Sequence, residues 1–162
     1  MMYRIEKVLN HNTVIAIHQD DHKEVLIMGK GVGFGRKVAE RIKVRPEDRL
    51  YSLQKYKERG GAKEIVKSIA PEFLELTNAV LNEAEKVFGK IDRMVLFPLA
   101  DHIAFAVKRI QNHEQISNPL TEDIRVLFHM EFKVAESIRP LLKKQFQIDI
   151  EDDEIGYVAL HI

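Results

Sequence analysis

The chain has 162 residues, with 25 Lys/Arg against 25 Asp/Glu, 45% hydrophobic side chains and no cysteine. That length holds one ordinary domain or two small ones with a packed core, and the missing cysteine excludes disulfides, thiolate catalysis and Cys-ligated zinc. Net neutrality does not exclude nucleic acid, because a binding surface is local: residues 1–55 carry 11 basic and 7 acidic side chains and residues 56–162 carry 14 and 18, so the parts stand at +4 and −4.

The N-terminus MMYRIEKVLN lacks the apolar stretch of a signal peptide, and no apolar run approaches the roughly 18 residues of a membrane span. A soluble, cytoplasmic protein without membrane insertion is expected. The first 55 residues read as short strands. Arg4-Ile5-Glu6-Lys7-Val8 alternates up to Asn10-His11-Asn12, where asparagine tolerates positive φ and closes a turn. Thr13–His18 and Glu24–Met28 are β-branched and apolar and flank the polar turn 19–23, which predicts a hairpin. Glycines at 29, 31, 33 and 35 then break regular structure, and 49–53 offers a fourth strand. A four-stranded antiparallel sheet this small has little core and gains from dimerising.

The stretch 55–61 is charged, ends in two glycines and has no periodicity, which puts a linker at 56–63. Beyond it the period is helical. Ile65, Ile69, Phe73, Leu76, Val80, Ala84 and Val87 recur at helical spacing, with Pro71 splitting the stretch and Gly89 ending it. Residues 95–110 put Leu99, Ile103, Ala106 and Ile110 on one stripe, and a third stretch runs from about 118 to 145 with breaks near His129 and at Pro140. A last helix starts at Glu151-Asp152-Asp153-Glu154, where acidic residues suit the positive end of the helix dipole. About five amphipathic helices with short links make a bundle over 64–162. The expected fold class is α+β, a small four-stranded sheet domain followed by an all-α bundle.

Three readings fit the glycine stretch GKGVGFG at 29–35. A phosphate cradle lacks its context, since no G-x-x-x-x-G-K-[ST] occurs and no βαβ unit follows. A plain turn would only reverse the chain, with Phe34 in the core. RNA contact would use the glycines for close backbone approach, Lys30, Arg36 and Lys37 for phosphates and Phe34 for base stacking. His102 in LADHIAFA and His161 in DDEIGYVALH each read either as satisfied histidines on apolar helices or as a general base, a metal ligand or a phosphoryl acceptor. No Ser or Cys nucleophile stands beside either, and a pairing with Asp101 is too common to define an acid/base enzyme. His102 with His113 or His129 shows no known ligand spacing, so neither a metal nor a cofactor is expected. Gly156 inside a helix costs about 1 kcal/mol against alanine; a close approach by a neighbouring helix or a partner would explain it.

Residues 4–12, RIEKVLNHN, and 28–34, MGKGVGF, resemble the co-antiterminator RNA-binding domain of the BglG/SacY/LicT transcription antiterminators. Asp101-His102, with Glu154-Ile155-Gly156-Tyr157-Val158-Ala159-Leu160-His161, resembles the phosphorylatable histidine motifs of the phosphotransferase-system regulation domain, or PRD, that follows it in that family. The resemblance covers essentially the whole chain in the family's order, and the glycine stretch is nearest to the glucose-responsive branch.

The resemblance implies an RNA-binding transcriptional antiterminator, not an enzyme. Its homodimer would clasp an imperfect hairpin in a leader RNA, keep an overlapping terminator from forming and let a sugar-uptake operon be transcribed. The implied RNA contacts are Lys7, Asn10, Asn12, Gly29, Lys30, Gly31 and Phe34 in a domain at 1–55. The implied phosphoryl acceptors are His102 and His161 in a PRD at 64–162, modified by phosphotransferase-system proteins, namely HPr and a sugar-specific enzyme II. Two departures stand out. Gly35 replaces the longer polar side chain of many relatives, and Ile162 falls one residue past His161, where the family usually continues the helix and adds a second PRD, so a PRD truncated at its C-terminal end is expected. Alternatives from other classes are a helical dimerisation module that binds no RNA, and an acid/base enzyme using His102 with Asp101.

Overall fold

The alternation of the first fifty residues becomes an antiparallel sheet in the computed structural model, which describes residues 2–53, 62–114 and 116–162. Its strands are β1 (Met2–Asn10), β2 (Thr13–His18), β3 (Glu24–Met28), β4 (Arg41–Lys43) and β5 (Arg49–Ser52), in the order β4-β1-β2-β3-β5. The period-2 pattern fixes the register. Tyr3 faces Ile42, Ile5 faces Ala16 and Val14 faces Ile27, and these residues form one core cluster with Val32 of the glycine loop. On the alternate positions Ile15, Leu26 and Tyr51 line up across β2, β3 and β5 and are also buried. Burying each large side chain contributes about 1.5–3 kcal/mol.

The sheet has five strands where the sequence indicates four. The additional strand, β4, is Arg-Ile-Lys, a single apolar residue between two cations, and carries no periodic signal. It exists because β1 offers an edge. Tyr3 pairs with Ile42, and Ile5 continues the ladder by donating to the Glu40 carbonyl at 2.9 Å and accepting from Ala39 N–H at 2.7 Å. The expected linker lies mostly outside the described residues. Its last two positions are helical, because α1 (Ala62–Ser68) starts at Ala62. The chain divides into two compact units, Met1–Pro71 and Glu72–Ile162, so α1 belongs with the sheet. Lys63 ties it there, reaching Glu24 on β3 at 2.8 Å.

The second unit contains α2 (Pro71–Phe88), α3 (Leu96–Gln111), α4 (Thr121–Leu127), α5 (His129–Ala135), α6 (Ile138–Phe146) and α7 (Asp152–Ala159). Its core holds Leu74, Leu81, Phe97, Leu99, Ile103, Ile138, Leu142 and Ile155, all essentially unexposed. Gly89 at φ +76° ends α2 as expected of a glycine after a helix. The third helical stretch breaks at Phe128, near the expected position, and again around 136–137 instead of at Pro140. Pro140 is the third residue of α6, where a missing N–H removes no intrahelical bond. Among the described residues no helix is long and apolar enough to cross a membrane.

Candidate nucleic-acid interface and histidine pair

The β1–β2 turn and the glycine loop after β3 meet at one end of the sheet, joined through their backbones. Gly29 N–H donates to the Asn12 carbonyl at 3.0 Å and Gly33 N–H to the His11 carbonyl at 2.8 Å. The two asparagine side chains complete the junction. Asn10 Oδ1 accepts from Asn12 N–H at 2.9 Å, and Asn12 Oδ1 accepts from Gly31 N–H at 2.8 Å. Each amide therefore spends its oxygen inside the chain and leaves its NH2 group, two donors, without a partner among the described residues. Of the sequence-predicted set, Asn10, Asn12, Gly29, Gly31 and Phe34 are brought together here, with Lys30 exposed between the two glycines. Lys7 is exposed on β1 three residues before Asn10, about 10 Å back along the strand.

Phe34 is 67% exposed, its ring meeting the His11 ring edge-on at a centroid distance of 5.0 Å, so it is not the core residue a plain turn would make of it. Its neighbour Val32 takes the core position. Gly31 has φ +72° and open space where a Cβ would stand. Gly29 differs: a Cβ there would lie 1.9 Å from Asp48 Oδ1. Asp48 is buried, accepts from Arg45 N–H at 2.9 Å and pairs with the Arg45 guanidinium at 2.9 Å, while the same guanidinium donates to the Lys30 carbonyl at 2.7 Å. The loop is thus braced from behind by Arg45 and Asp48, which motif reading did not single out. Their signal was an Arg-Pro-Glu-Asp turn with no periodicity.

In the second unit α3 supplies His102 and the turn after α7 supplies His161. Their rings approach to 5.2 Å between centroids, tilted by 33°. Residues 59 positions apart in sequence are therefore neighbours, as a shared role requires. His161 Nδ1 lies 2.9 Å from the Tyr157 carbonyl, which only accepts, so Nδ1 carries a proton and donates it there. His102 Nε2 points inward, 3.8 Å from Glu154 Oε2, and is buried without a hydrogen-bond partner. Burial, then the neighbouring His161 and Arg109, hold the His102 imidazole below its ordinary pKa against the opposing pull of Asp101, which favours the neutral, nucleophilic form.

Below the two rings Glu154 is fully buried and pairs with Arg109 of α3 at 2.7 Å. Burial raises the Glu154 carboxyl above its usual range, and Arg109 opposes that rise. Sequence reading placed Glu154 among the acids at a helix start; the fold turns it inward. Gly156 has its explanation close by. A Cβ there would stand 2.9 Å from Asn118 Nδ2, and Asn118 is tied to α7 by donating its backbone N–H to Asp153 Oδ2 at 3.1 Å. Among the described residues no group of three His, Cys, Asp or Glu could hold a metal ion.

Comparison with known proteins agrees with this division. The CAT RNA binding domain matches residues 3–60 and the PRD domain residues 75–162. The chain is 32% identical over 168 residues to the GlcA/glcB genes antiterminator of Staphylococcus carnosus, covering 99% of this chain and 56% of that protein. It is 30% identical over 165 residues to Protein GlcT of Staphylococcus epidermidis, covering 99% and 57%. The chain spans a little over half the length of the curated relatives it matches. A crystal structure of GlcT CAT-PRDI superposes with a TM-score of 0.81 at 28% identity, over 99% of this chain and 96% of that one. With both domains matched in order and the fold shared, the chain belongs to the antiterminator-type regulators, which are not enzymes and in which a CAT RNA binding domain precedes a PRD domain.

Proposed function

We propose that the chain binds an imperfect hairpin of a leader RNA through Lys7, Asn10, Asn12, Gly29, Lys30, Gly31 and Phe34, as a homodimer, and so prevents termination ahead of a sugar-uptake operon. The observation that carries the reading is the pair of asparagine amides: with their oxygens held by backbone N–H groups, both keep NH2 donors without a partner among the described residues, close to an exposed aromatic ring and an exposed lysine. Donors to base edges, a stacking face and a phosphate partner are what single-stranded or bulged RNA requires.

His102 and His161 take a phosphoryl group from phosphotransferase-system proteins, HPr and a sugar-specific enzyme II: an imidazole nitrogen attacks phosphorus, a new N–P bond forms and the donor's bond to phosphorus breaks. The proximity of the rings and the neutral state of His102 support this. His102 Nε2 faces Glu154, so a dianionic group at that nitrogen requires the ring to turn outward or the Glu154–Arg109 pair to open. The alternative of His102 and Asp101 as an acid/base pair gives way to the family membership, and the interaction-module reading leaves the unpartnered amide donors without a role.

Asn12→Asp separates the RNA reading from loop collapse, because Asp keeps the acceptor for Gly31 N–H and removes the NH2 donor. Gel-shift with a set of leader hairpins should show tight binding by the wild-type chain and loss in Asn12→Asp while the Gly31 amide stays protected from exchange. Equal binding by that variant would overturn the role of the amide donors. Incubation with the phosphotransferase proteins and a phosphoryl donor should give acid-labile label that disappears in the His102→Ala, His161→Ala variant; persistence there removes both histidines from the account.

A further inference from the structure

Two basic side chains of the sheet unit, Arg4 and Arg41, stand far from the glycine loop. Arg4 on β1 stands directly opposite Arg41 on β4 and, on its other side, opposite Ile17 on β2. Arg4 and Asn10 are six residues apart on one strand, roughly 20 Å. Directly opposed residues hold their Cβ atoms about 5 Å apart, and like charges so placed destabilise a sheet. Neither guanidinium has a protein partner among the described residues.

A concavity of about 70 Å³ opens at this spot, lined by Arg4, Arg41, His18, His22, Gln19 and Ile17. His18 is fixed in orientation by its Nδ1 contact to Asp21 at 3.0 Å and by the edge of the Tyr3 ring at 5.0 Å. His22 sits at φ +57°, in the left-handed region, which costs a non-glycine residue about 1–2 kcal/mol. Glycine would hold that turn at lower cost, yet an imidazole stands there. Two of the nearby carboxylates already have partners. Asp21 accepts from Lys23 N–H at 3.0 Å as well as meeting His18, and Glu24, opposite Ile17, is bound to Lys63.

We propose that this concavity is a binding site for a tetrahedral oxyanion of the phosphate class. Two opposed guanidinium forks supply the charge-assisted, bidentate donors that such a group accepts, and His22 of the turn borders the same concavity. Its volume, about two waters at ~30 Å³ each, suits one phosphoryl group and falls well short of the several hundred Å³ of a nucleotide pocket. The group belongs either to free phosphate or to an RNA backbone phosphate; the Arg4–Arg41 cluster is separate from the amide and ring contacts proposed above and stands or falls without them.

The test follows the His18 and His22 imidazole signals of the whole chain by NMR while inorganic phosphate is added at constant ionic strength, with chloride as control. Saturable shifts with phosphate and none with chloride are expected. They should disappear in Arg4→Gln/Arg41→Gln and weaken at least several-fold in His22→Gly, which relieves the backbone and so keeps the fold. A second arm adds a leader hairpin to the phosphate-loaded protein: displacement of phosphate assigns the site to the RNA backbone, and retention assigns it to small phosphate. Linear shifts, or shifts unchanged in both variants, overturn the site, and an unoccupied site leaves the gel-shift result for Asn12 unaffected.

Discussion

Gly29 and Gly31 stand two residues apart and need glycine for different reasons. At Gly29 the space for a Cβ is taken by the buried Asp48 carboxylate, whereas at Gly31 the space is open and the positive φ makes the demand. Gly29→Ala is therefore an overpacking change with an expected loss of about 1–3 kcal/mol. Gly31→Ala should cost about 1–2 kcal/mol through its backbone alone. Urea titration followed on β2 and β3 amide signals measures both without RNA. Adding Asp48→Ala should recover part of the Gly29→Ala loss and none of the Gly31→Ala loss; a Gly29→Ala chain as stable as wild type would sink the argument. The histidine site makes a second residue-scale prediction. Because His102 has its pKa lowered by burial, His161 and Arg109, the folded state takes up this proton later than the unfolded chain. Its contribution is complete above the unfolded value of about 6.5 and falls as pH drops through the window beneath it. Glu154, with its pKa raised, acts with the opposite sign: stability falls as pH rises through the window above its unfolded value near 4.3. His102→Gln should flatten the loss of melting temperature from pH 7 towards pH 5, and Glu154→Gln should remove the penalty on the carboxylate side; an unaltered profile in His102→Gln contradicts the assignment. Motif and residue type made Asn10, Asn12, Phe34, His102 and His161 legible in the sequence. Arg109 with Glu154 and Arg45 with Asp48 were not, because a buried ion pair leaves no pattern along the chain and an acid in the first turn of a helix already has a local explanation.

Elements with a period of their own were legible, and elements defined by a neighbour were not. β2, β3 and α3 follow from alternation or from a helical stripe, while β4 is three residues recruited by the edge of β1. The break at 136–137 is likewise tertiary: it lets α5 and α6 each bury a face, with Phe132 and Ala135 on one and Ile138 and Leu142 on the other. Gly156 belongs between the two cases, since a glycine inside a helix announces a close approach without naming what approaches. Here it is Asn118, whose backbone and side chain are both bonded to Asp153 at the start of the same helix. A methyl group at 156 displaces that amide. Gly156→Ala and Asn118→Ala should each destabilise the second unit by about 1–3 kcal/mol. Their double variant should fall short of the sum by about 0.5–3 kcal/mol, the range for residues in contact. Urea unfolding of the four chains completes the cycle, and strict additivity would mean that the glycine serves something other than Asn118.

Across the whole molecule, zero net charge is a division between a +4 segment at 1–55 and a −4 segment at 56–162. Within the proposed function the first segment meets RNA, and dimerisation doubles its charge without changing the neutrality of the chain. Phosphate contacts and base contacts then separate by their response to salt. Each cation placed on a phosphate releases counterions, adding roughly 0.7–0.9 to the slope of log affinity against log salt. Lys30 is exposed and has no ion-pair partner among the described residues, so Lys30→Gln should reduce the slope by about that much and weaken all hairpins alike. Phe34→Ala removes a ring that is 67% exposed and meets the His11 ring edge-on, so it should leave the fold and the slope unchanged. Its loss should instead be a salt-independent 1–3 kcal/mol from base stacking. Anisotropy titrations of one hairpin at several salt concentrations distinguish the two. Equal slopes for wild type and Lys30→Gln would take the lysine off the phosphate backbone, and unchanged affinity in Phe34→Ala would take the ring out of the interface.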